Sequence, residues 1–347
     1  MPRRHTAPLH QISSRPVVLI TTALPRSQLS HLAGLARIVM GPPGGDTMPR
    51  ARVLQMAPQL AGIISQGELT VDAELLDRAP SLRIVASASV GVDKLDLSLM
   101  AQRGVYATNA PTYFVEATAD YTLGAILALM RRLTEADRYV RSGRWHRFQP
   151  GAWDGGLLKD KVLGIVGYGA IGRAVARRAT GFGLKVIYYS RTPSKEPGYT
   201  PLNRLLSKAD IVSLHVPLTV DTYGLMNSSR LDRMKRGAYL INTARGRVVD
   251  EAALIRVLNS GQLAGAALDV FAQEPQVPAA LRRHNNVLLT PHLGGGTRES
   301  RLMAWSICLS NVARVLAGQY PTHLQNEPIS TSTGTTPARQ YRAQPNK

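Results

Sequence analysis

The chain has 347 residues, 44% of them hydrophobic, and one cysteine, Cys308, which predicts a globular protein of two domains without an internal disulfide. The longest clean apolar run, 121–130, is far too short to span a membrane, and no apolar segment follows the basic N-terminus, so neither a membrane protein nor a secreted one is expected. A single cysteine suits a reducing cytoplasm, which is the expected location.

The formal net charge of +19 permits three interpretations. A basic surface binds nucleic acid, attracts anionic substrates and phosphorylated cofactors, or only reflects an arginine-rich proteome. The densest basic cluster is interrupted by Glu135 and Asp137 and has a three-residue spacing from Arg138 to Arg144. We interpret it as one face of a solvent-exposed or subunit-facing helix, and no nucleic-acid partner is expected. The cluster comprises Arg131, Arg132, Arg138, Arg141, Arg144 and Arg147.

Residues 1–108 alternate short apolar runs with helical patterns, which predicts a parallel α/β sheet. This part has no glycine triad, so we expect a task different from nucleotide binding. A short disordered basic arm is expected at its N-terminus, with an organelle transit peptide as the alternative. The predicted strands are 16–22, 61–65, 82–87 and 105–108, and the predicted helices are 28–36, 50–57 and 71–78.

A long helical pattern over 112–132 continues through 137–142. A helix of this length would link two domains. The loop that follows, 143–156, contains aromatic residues between glycines and prolines, which indicates an interface or the edge of a pocket. Packing of the loop onto its own domain is the alternative. The aromatic residues are Trp145, Phe148 and Trp153.

Three glycines, Gly167, Gly169 and Gly172, form the pattern G-x-G-x-x-G between an apolar strand and a helical pattern over 173–182. In a dinucleotide-binding unit the first glycine allows a tight turn, the second allows close approach of a pyrophosphate, and the third allows the helix to pack on the strand. This context predicts a dinucleotide site, and an ordinary glycine-rich turn is the alternative. Strands are predicted at 162–167, 185–189, 211–214, 238–242, 264–268 and 287–289, with a last helix over 297–317.

The second strand of this unit ends in Ser190-Arg191-Thr192, where no acid is present. An acid at this position binds the ribose 2′-hydroxyl of NAD, whereas an arginine accommodates the 2′-phosphate of NADP. Lys195 is close enough in sequence to contribute. The segment therefore favours NADP, and the alternative is a surface arginine with NAD bound less selectively.

Three complementary side chains follow the later predicted strands: Arg245, Glu274 and His292. Parallel sheets of this kind bind ligands at these strand ends. Arginine grips a carboxylate with two hydrogen bonds, histidine transfers a proton near neutral pH, and a neighbouring carboxylate orients the histidine ring. We interpret the set as an acid–base partner with an anion clamp.

With these residues in place, the chain resembles the D-isomer-specific 2-hydroxyacid dehydrogenases, and within them the glyoxylate/hydroxypyruvate reductases. The resemblance covers roughly 61–328. Its motifs are the glycine triad, Thr-Ala-Arg-Gly at 243–246, Ala-Leu-Asp-Val-Phe at 267–271 with Glu-Pro at 274–275, and Thr-Pro-His at 290–292, supported by segments at 89–93, 109–111, 116–120, 141–145 and 215–219.

The resemblance implies two doubly wound parallel-sheet domains, a Rossmann nucleotide-binding domain and a flavodoxin-like substrate domain, with the active-site cleft between them. The substrate domain is expected over 1–108 and 296–327, the nucleotide domain over 109–295, and a disordered tail over 328–347. It also implies a homodimer through the nucleotide domains, with Trp145 or Phe148 of one subunit reaching the active site of the other. No metal site is expected.

The resemblance also implies roles for single residues. Arg245 would bind the substrate carboxylate and carbonyl, His292 would protonate the carbonyl oxygen, and Glu274 would support His292. Further substrate contacts are expected from Gln66, Gly67, Ser89, Val90 and Gly91. Asp269 would contact the nicotinamide amide. Cofactor contacts are expected from Gly167, Gly169, Ala170, Ile171, Gly172, Ser190, Arg191, Thr192, His215, Val216, Pro217, Thr243, Ala244, Arg245, Asp269, His292 and Gly294.

Two departures from the family pattern affect the expected pocket. Gly294-Gly-Gly296 replaces the usual Gly-Ser-Ala or Gly-Ser-Gly, and Tyr113-Phe114 are bulkier than usual. The implied activity is NADPH-dependent reduction of glyoxylate or hydroxypyruvate to the D-2-hydroxy acid. The alternatives are a reductase for bulkier 2-oxo acids such as hydroxyphenylpyruvate, a non-catalytic dinucleotide-sensing protein related to corepressors, and oxidation of another anion such as phosphite.

Overall fold

The computed structural model describes residues 15–192 and 196–329. The N-terminal arm before residue 15, Lys195 and the tail from residue 330 lie outside the described residues. The described chain forms two compact units, which are treated separately below. The first contains the described parts of Met1–Ala88, Lys94–Asn109 and Ser306–Lys347, and the second contains Ser89–Asp93 and Ala110–Trp305.

The first unit is built on a parallel sheet with the strand order β2-β1-β3-β4-β5. This is the flavodoxin-like order that was predicted. Every residue of β1, β3 and β4 is buried, as their continuous apolar sequences require. The strands are β1 (Val17–Ile20), β2 (Arg37–Met40), β3 (Leu60–Ser65), β4 (Ile84–Ser87) and β5 (Tyr106–Thr108), and the helices are α1 (Arg50–Met56), α2 (Ala73–Arg78) and α3 (Leu97–Gln102).

Two predictions in the first unit need correction. Strand β2 was missed because it lies at the sheet edge, where no residue is fully buried. The predicted helix over 28–36 is a 3₁₀ helix, Arg26–Leu32, of which only Leu32 is buried.

The second unit is built on a parallel sheet with the strand order β11-β10-β9-β8-β6-β7. All six predicted strands are confirmed. The direction of winding reverses between β6 and β8, and such a switch point is where open α/β sheets bind ligands. The strands are β6 (Val162–Val166), β7 (Lys185–Tyr189), β8 (Ile211–Leu214), β9 (Ala238–Asn242), β10 (Leu263–Leu268) and β11 (Val287–Leu289).

Helices cover both faces of this sheet, and two clusters of buried side chains form the core, one on each side. None of the described helices is both long and apolar enough to cross a membrane. The helices are α4 (Val115–Met130), α5 (Leu133–Arg141), α6 (Ala170–Gly181), α7 (Leu202–Lys208), α8 (Ser228–Arg233), α9 (Glu251–Asn259), α10 (Ala279–Arg283) and, continuing beyond this unit, α11 (Arg298–Leu316).

The single long helix predicted over 112–142 is wrong. The helix ends at Met130, Arg132 has a left-handed φ of 53°, and α5 then begins. A tertiary contact fixes this end, because the Gly156 N–H donates to the Met130 carbonyl at 2.7 Å. Arg144 lies beyond the end of α5, so the prediction that Arg138 to Arg144 form one face of a helix is also wrong.

Candidate active site

The glycine turn after β6 has the local geometry that a dinucleotide requires. Gly167 has a φ of 99°, and a Cβ there would lie 2.4 Å from the carbonyl oxygen of His215, at the switch point of the sheet. A Cβ on Gly172 would lie 2.2 Å from the Gly167 oxygen, so only glycine lets α6 pack this closely. Gly169, which precedes α6, faces open space, leaving its surroundings accessible to a phosphate group. The turn therefore fits a dinucleotide.

The segment after β7 exposes an arginine. The side chain of Arg191 is 78% exposed, and its Nη1 lies 3.9 Å from Asp221 Oδ2. Ser190 Oγ donates to the Thr192 carbonyl at 2.7 Å, which stabilises the turn. Arg191 is therefore the group of this segment that is best placed to meet an anion.

Arg245 lies in the loop after β9, which the buried Asn242 side chain organises. Asn242 Nδ2 donates to the Arg245 carbonyl at 3.0 Å, and its Oδ1 accepts from the Ala244 N–H at 3.0 Å. The guanidinium is held at two atoms, since Nε donates to Asp93 Oδ1 at 2.9 Å and Nη1 donates to the Ala244 carbonyl at 2.7 Å. These contacts orient the planar donor group.

Gly91 lies directly against this guanidinium. A Cβ at Gly91 would lie 1.7 Å from Arg245 Nη2 and 2.7 Å from Asp93 Oδ1. The absence of a side chain at Gly91 thus allows Arg245 to reach the 89–91 backbone, where Ser89 Oγ donates to the Gly91 carbonyl at 2.8 Å. Gly91, with its neighbours Ser89 and Val90, therefore lies beside Arg245.

His292 and Glu274 form a hydrogen-bonded pair. His292 Nδ1 lies 3.0 Å from Glu274 Oε2, and the two side chains are 48% and 36% exposed. Partial burial opposes ionisation of Glu274, but the His292 hydrogen bond and charge, the Phe271 N–H and the charge of Arg245 together hold its pKa below the ordinary value. Glu274 therefore remains a carboxylate, and it holds the imidazole of His292 through Nδ1.

The loops that carry these three side chains are joined to one another. A Cβ on Gly246, next to Arg245, would lie 1.9 Å from the backbone carbon of Phe271. Glu251 Oε1 accepts from the Ala272 N–H at 2.8 Å, and Arg247 Nε donates to the Ala272 carbonyl at 3.1 Å. The loops after β9 and β10 thus hold Arg245 and Glu274 in a fixed relation.

Asp269 is 1% exposed, and protein groups surround its carboxylate. Oδ1 accepts from the Thr290 hydroxyl at 2.6 Å and from the Leu293 N–H at 2.7 Å, while Oδ2 accepts from the Gly294 N–H at 2.7 Å. The Asp269 carbonyl accepts from the His292 N–H at 2.9 Å. Asp269 is thus hydrogen-bonded to Thr290 before His292, to His292 itself, and to Leu293 and Gly294 after it.

The remaining predicted residues lie in four places. His215, Val216 and Pro217 follow β8, Thr243 and Ala244 follow β9, and Ala170 and Ile171 begin α6. His215 Nε2 lies 2.8 Å from Ser213 Oγ, and burial lowers its pKa to about 4. Gln66 and Gly67 follow β3 in the first unit. Among the residues that the structure describes, no group of acidic, histidine or cysteine side chains is placed to hold a metal ion.

Sequence reasoning missed several residues of the site. Asp93 was included only as part of the 89–93 motif and was given no role, and its partner Arg245 lies 152 positions away. Asn242 closes a predicted strand, where a buried amide at a strand end was a detectable signal. Tyr121, whose hydroxyl is hydrogen-bonded to Thr290 Oγ1, lies in the middle of a helix and gave no signal.

Comparison with known proteins identifies similar chains. Residues 123–294 match the family described as D-isomer specific 2-hydroxyacid dehydrogenase, NAD binding domain. A glyoxylate reductase of Thermococcus litoralis is 40% identical over 330 residues, which cover 92% of this chain and 99% of that protein. A Thermus thermophilus protein has a TM-score of 0.84 at 41% identity, covering 89% of this chain and 99% of its own. The NADPH-dependent glyoxylate/hydroxypyruvate reductase of Sinorhizobium meliloti, in complex with NADP and malonate, has a TM-score of 0.80 at 32% identity, covering 91% and 98%.

Proposed function

Because the chain belongs to the D-isomer-specific 2-hydroxyacid dehydrogenase family, we propose that it reduces glyoxylate or hydroxypyruvate to the D-2-hydroxy acid with NADPH. The protein is an oxidoreductase with an NAD-binding Rossmann domain, and reduction of 2-oxo acids is the reaction of its glyoxylate reductase relatives. The identity of the 2-oxo acid and the preference for NADPH belong to the proposal.

One observation carries the proposal: Arg245 and the hydrogen-bonded pair of Glu274 and His292 lie on interlocked neighbouring loops. Arg245 would bind the substrate carboxylate through Nη2, which lies against Gly91, together with the neighbouring 90–91 backbone. His292 would donate a proton to the carbonyl oxygen as the carbonyl carbon is reduced, and Glu274 would keep the ring in the correct orientation. Bound NADPH supplies the hydride.

The glycine turn after β6 is proposed to hold the cofactor diphosphate, and the residues after β8 and β9 are proposed to line the rest of the cofactor. Arg191 would bind the 2′-phosphate, because its side chain is exposed at the end of β7 and no acid replaces it there. The NADP bound by the Sinorhizobium meliloti enzyme supports this assignment. Gln66 and Gly67 are proposed to contact the substrate. The substrate domain is proposed to comprise 1–108 and 296–327, and the nucleotide domain 109–295.

We further propose that two copies associate through α5 and the loop that follows it. Trp145 is 57% exposed and Phe148 is 81% exposed. Trp153, in contrast, packs on Tyr139 of α5, with ring centroids 4.7 Å apart. Val140 of α5 is also an exposed apolar side chain, and a second copy that packed on α5 and this loop would cover all three side chains. An aromatic side chain of the partner, with Phe148 the candidate, would then reach the active site.

A panel of 2-oxo acids, assayed with NADPH and with NADH, tests the activity. We expect turnover of glyoxylate and hydroxypyruvate, with a higher kcat/KM for NADPH. His292→Asn should lower kcat by about 10²–10⁴-fold, because proton donation is lost. Equal turnover by the wild type and His292→Asn would refute the role of His292. Cofactor binding without turnover of any 2-oxo acid would refute the activity.

Light scattering during gel filtration tests the dimer. Val140→Glu should yield a monomer, because a charge would be buried in the proposed interface. Val220→Glu is the matched control, since Val220 is 96% exposed in the loop after β8. A monomeric wild type would contradict the dimer.

A further inference from the structure

A partly buried hydrogen-bond chain runs from α4 to the two residues after His292. The Tyr121 hydroxyl is hydrogen-bonded to Thr290 Oγ1, and Thr290 Oγ1 lies 2.6 Å from Asp269 Oδ1. The Asp269 carboxylate then accepts from the Leu293 and Gly294 N–H groups, each at 2.7 Å. The chain thus joins a helix, a strand end and the histidine loop.

Each hydrogen bond in this chain has a definite direction. A carboxylate only accepts, so the single Thr290 proton is donated to Asp269. Thr290 Oγ1 must then accept from Tyr121, which requires a protonated phenol. Burial raises the pKa of Tyr121 to about 12, the Thr290 hydrogen bond lowers it and the Asp269 charge raises it, so Tyr121 remains a donor at neutral pH.

The loop needs this anchoring because His292 has a left-handed φ of 56°. This conformation costs a non-glycine residue about 1–2 kcal/mol. Asp269 secures the loop before, at and after the histidine, since its carboxylate accepts from the Thr290 hydroxyl and from the Leu293 and Gly294 N–H groups, and its carbonyl accepts from the His292 N–H at 2.9 Å. Gly294 allows the approach, because a Cβ there would lie 3.0 Å from Asp269 Oδ2.

We propose that Tyr121, Thr290 and Asp269 are positioning residues that fix the His292 loop in its left-handed conformation and thereby aim the imidazole at the substrate. This inference rests on the proposed role of His292 as proton donor. It gives Asp269 a task separate from the expected contact with the nicotinamide amide. Loss of the chain should therefore lower kcat while cofactor affinity is retained.

The test compares Thr290→Val, which removes both hydroxyl bonds at nearly constant volume, with Thr290→Ser, which keeps them. Thr290→Val should lower kcat by about 10–100-fold, because a small misalignment of a catalytic group has effects of this size. The dissociation constant for NADPH and the KM for glyoxylate should change by less than about threefold. Thr290→Ser should stay near wild type, and Tyr121→Phe should give a smaller loss in kcat.

Hydrogen exchange at the Leu293 and Gly294 amides provides a measurement that does not depend on activity. Both amides should exchange faster in Thr290→Val than in the wild type or Thr290→Ser. Unchanged exchange and unchanged kcat would overturn the inference. A loss of NADPH affinity with an unchanged kcat would also overturn it, because Asp269 would then act through the cofactor. A wild type that reduces no 2-oxo acid would refute the proposed function, while the exchange measurement would still test the loop.

Discussion

Replacement of Gly91 by alanine tests the contact between the 89–91 segment and Arg245. A Cβ at Gly91 would lie 1.7 Å from Arg245 Nη2 and 2.8 Å from Arg245 Cζ. The φ of Gly91 is not in the left-handed region, so alanine does not strain the backbone there. The flexible guanidinium must therefore move, and the Asp93 carboxylate, at 2.7 Å from the same Cβ, must move with it.

The geometry sets the size of the effect. To reach an ordinary van der Waals distance, Nη2 must shift by more than about 1.5 Å, and a misplacement of about 1 Å in a binding group costs on the order of 10²-fold in rate. We therefore expect Gly91→Ala to lower kcat/KM for glyoxylate about 100-fold. The KM should rise and kcat should fall, because both the grip on the carboxylate and its orientation are lost.

The assay is the initial rate of NADPH oxidation, with thermal unfolding measured in parallel. Gly124→Ala is the matched control. Gly124 lies inside α4 with no atom within 4 Å of an added Cβ, so alanine should stabilise the helix by about 0.5–1 kcal/mol and leave kcat/KM unchanged. A wild-type kcat/KM in Gly91→Ala would refute the reasoning. A loss of activity matched by a loss of folded protein would place the effect in the fold instead of in Arg245.

Two further predictions concern the cofactor and pH. Arg191→Ala should raise the KM for NADPH at least tenfold, since a hydrogen bond to a charged group contributes about 1.5–3 kcal/mol. The KM for NADH is the internal control and should stay the same. An equal change in KM for both cofactors would contradict the assignment of Arg191 to the 2′-phosphate. His215 has a lowered pKa of about 4, so the unfolded chain binds a proton that the folded chain does not. The free energy of unfolding should therefore fall as the pH drops from about 6.5 towards 4. His215→Gln, which keeps a hydrogen-bonding group near Ser213, should flatten this slope in urea titrations; an unchanged slope would assign it to other groups.

Local sequence patterns were sufficient to predict most of the fold. The strands β6 to β11 are mostly apolar runs with turn residues between them, so their positions were evident without tertiary information. The flavodoxin-like order of the first sheet followed from the resemblance. The edge strand β2 has no fully buried residue, so its sequence carries too weak a hydrophobic signal. The break between α4 and α5 depends on the contact of Gly156 with Met130, which no local pattern contains.

The candidate site was predictable in its residue types but not in its connections. Arg245, Glu274 and His292 could be found because each follows a strand whose end faces the same edge of the sheet. The contact of Arg245 with Asp93 could not be predicted, because it joins segments that are distant in sequence. Tyr121 likewise acquires its partner Thr290 only when α4 packs against β10 and β11. Sequence thus pointed to the three candidate side chains, whereas the contacts that hold them became apparent only in the folded structure.

The two departures from the family pattern form one contact in the structure. A Cβ on Gly295 would lie 2.7 Å from Phe114 Cδ1 and 3.2 Å from Phe114 Cβ. The phenyl ring thus fills the space that a side chain at position 295 would need. The loop after His292 is therefore held at two neighbouring glycines, since Asp269 accepts from the Gly294 N–H and Gly295 packs on Phe114.

This packing predicts that the two positions are energetically coupled. Gly295→Ala alone should destabilise the protein by about 1–3 kcal/mol through overpacking and should lower kcat, because the strain falls on the His292 loop. Phe114→Leu alone should lower the free energy of unfolding by less than Gly295→Ala does, and it should open space beside Gly295. In the double variant the alanine has room. The loss in unfolding free energy of the double variant should therefore be smaller than the sum of the two single losses by about 0.5–3 kcal/mol. Strictly additive unfolding free energies would show that the loop and the start of α4 adjust independently, and the two departures would then need separate explanations.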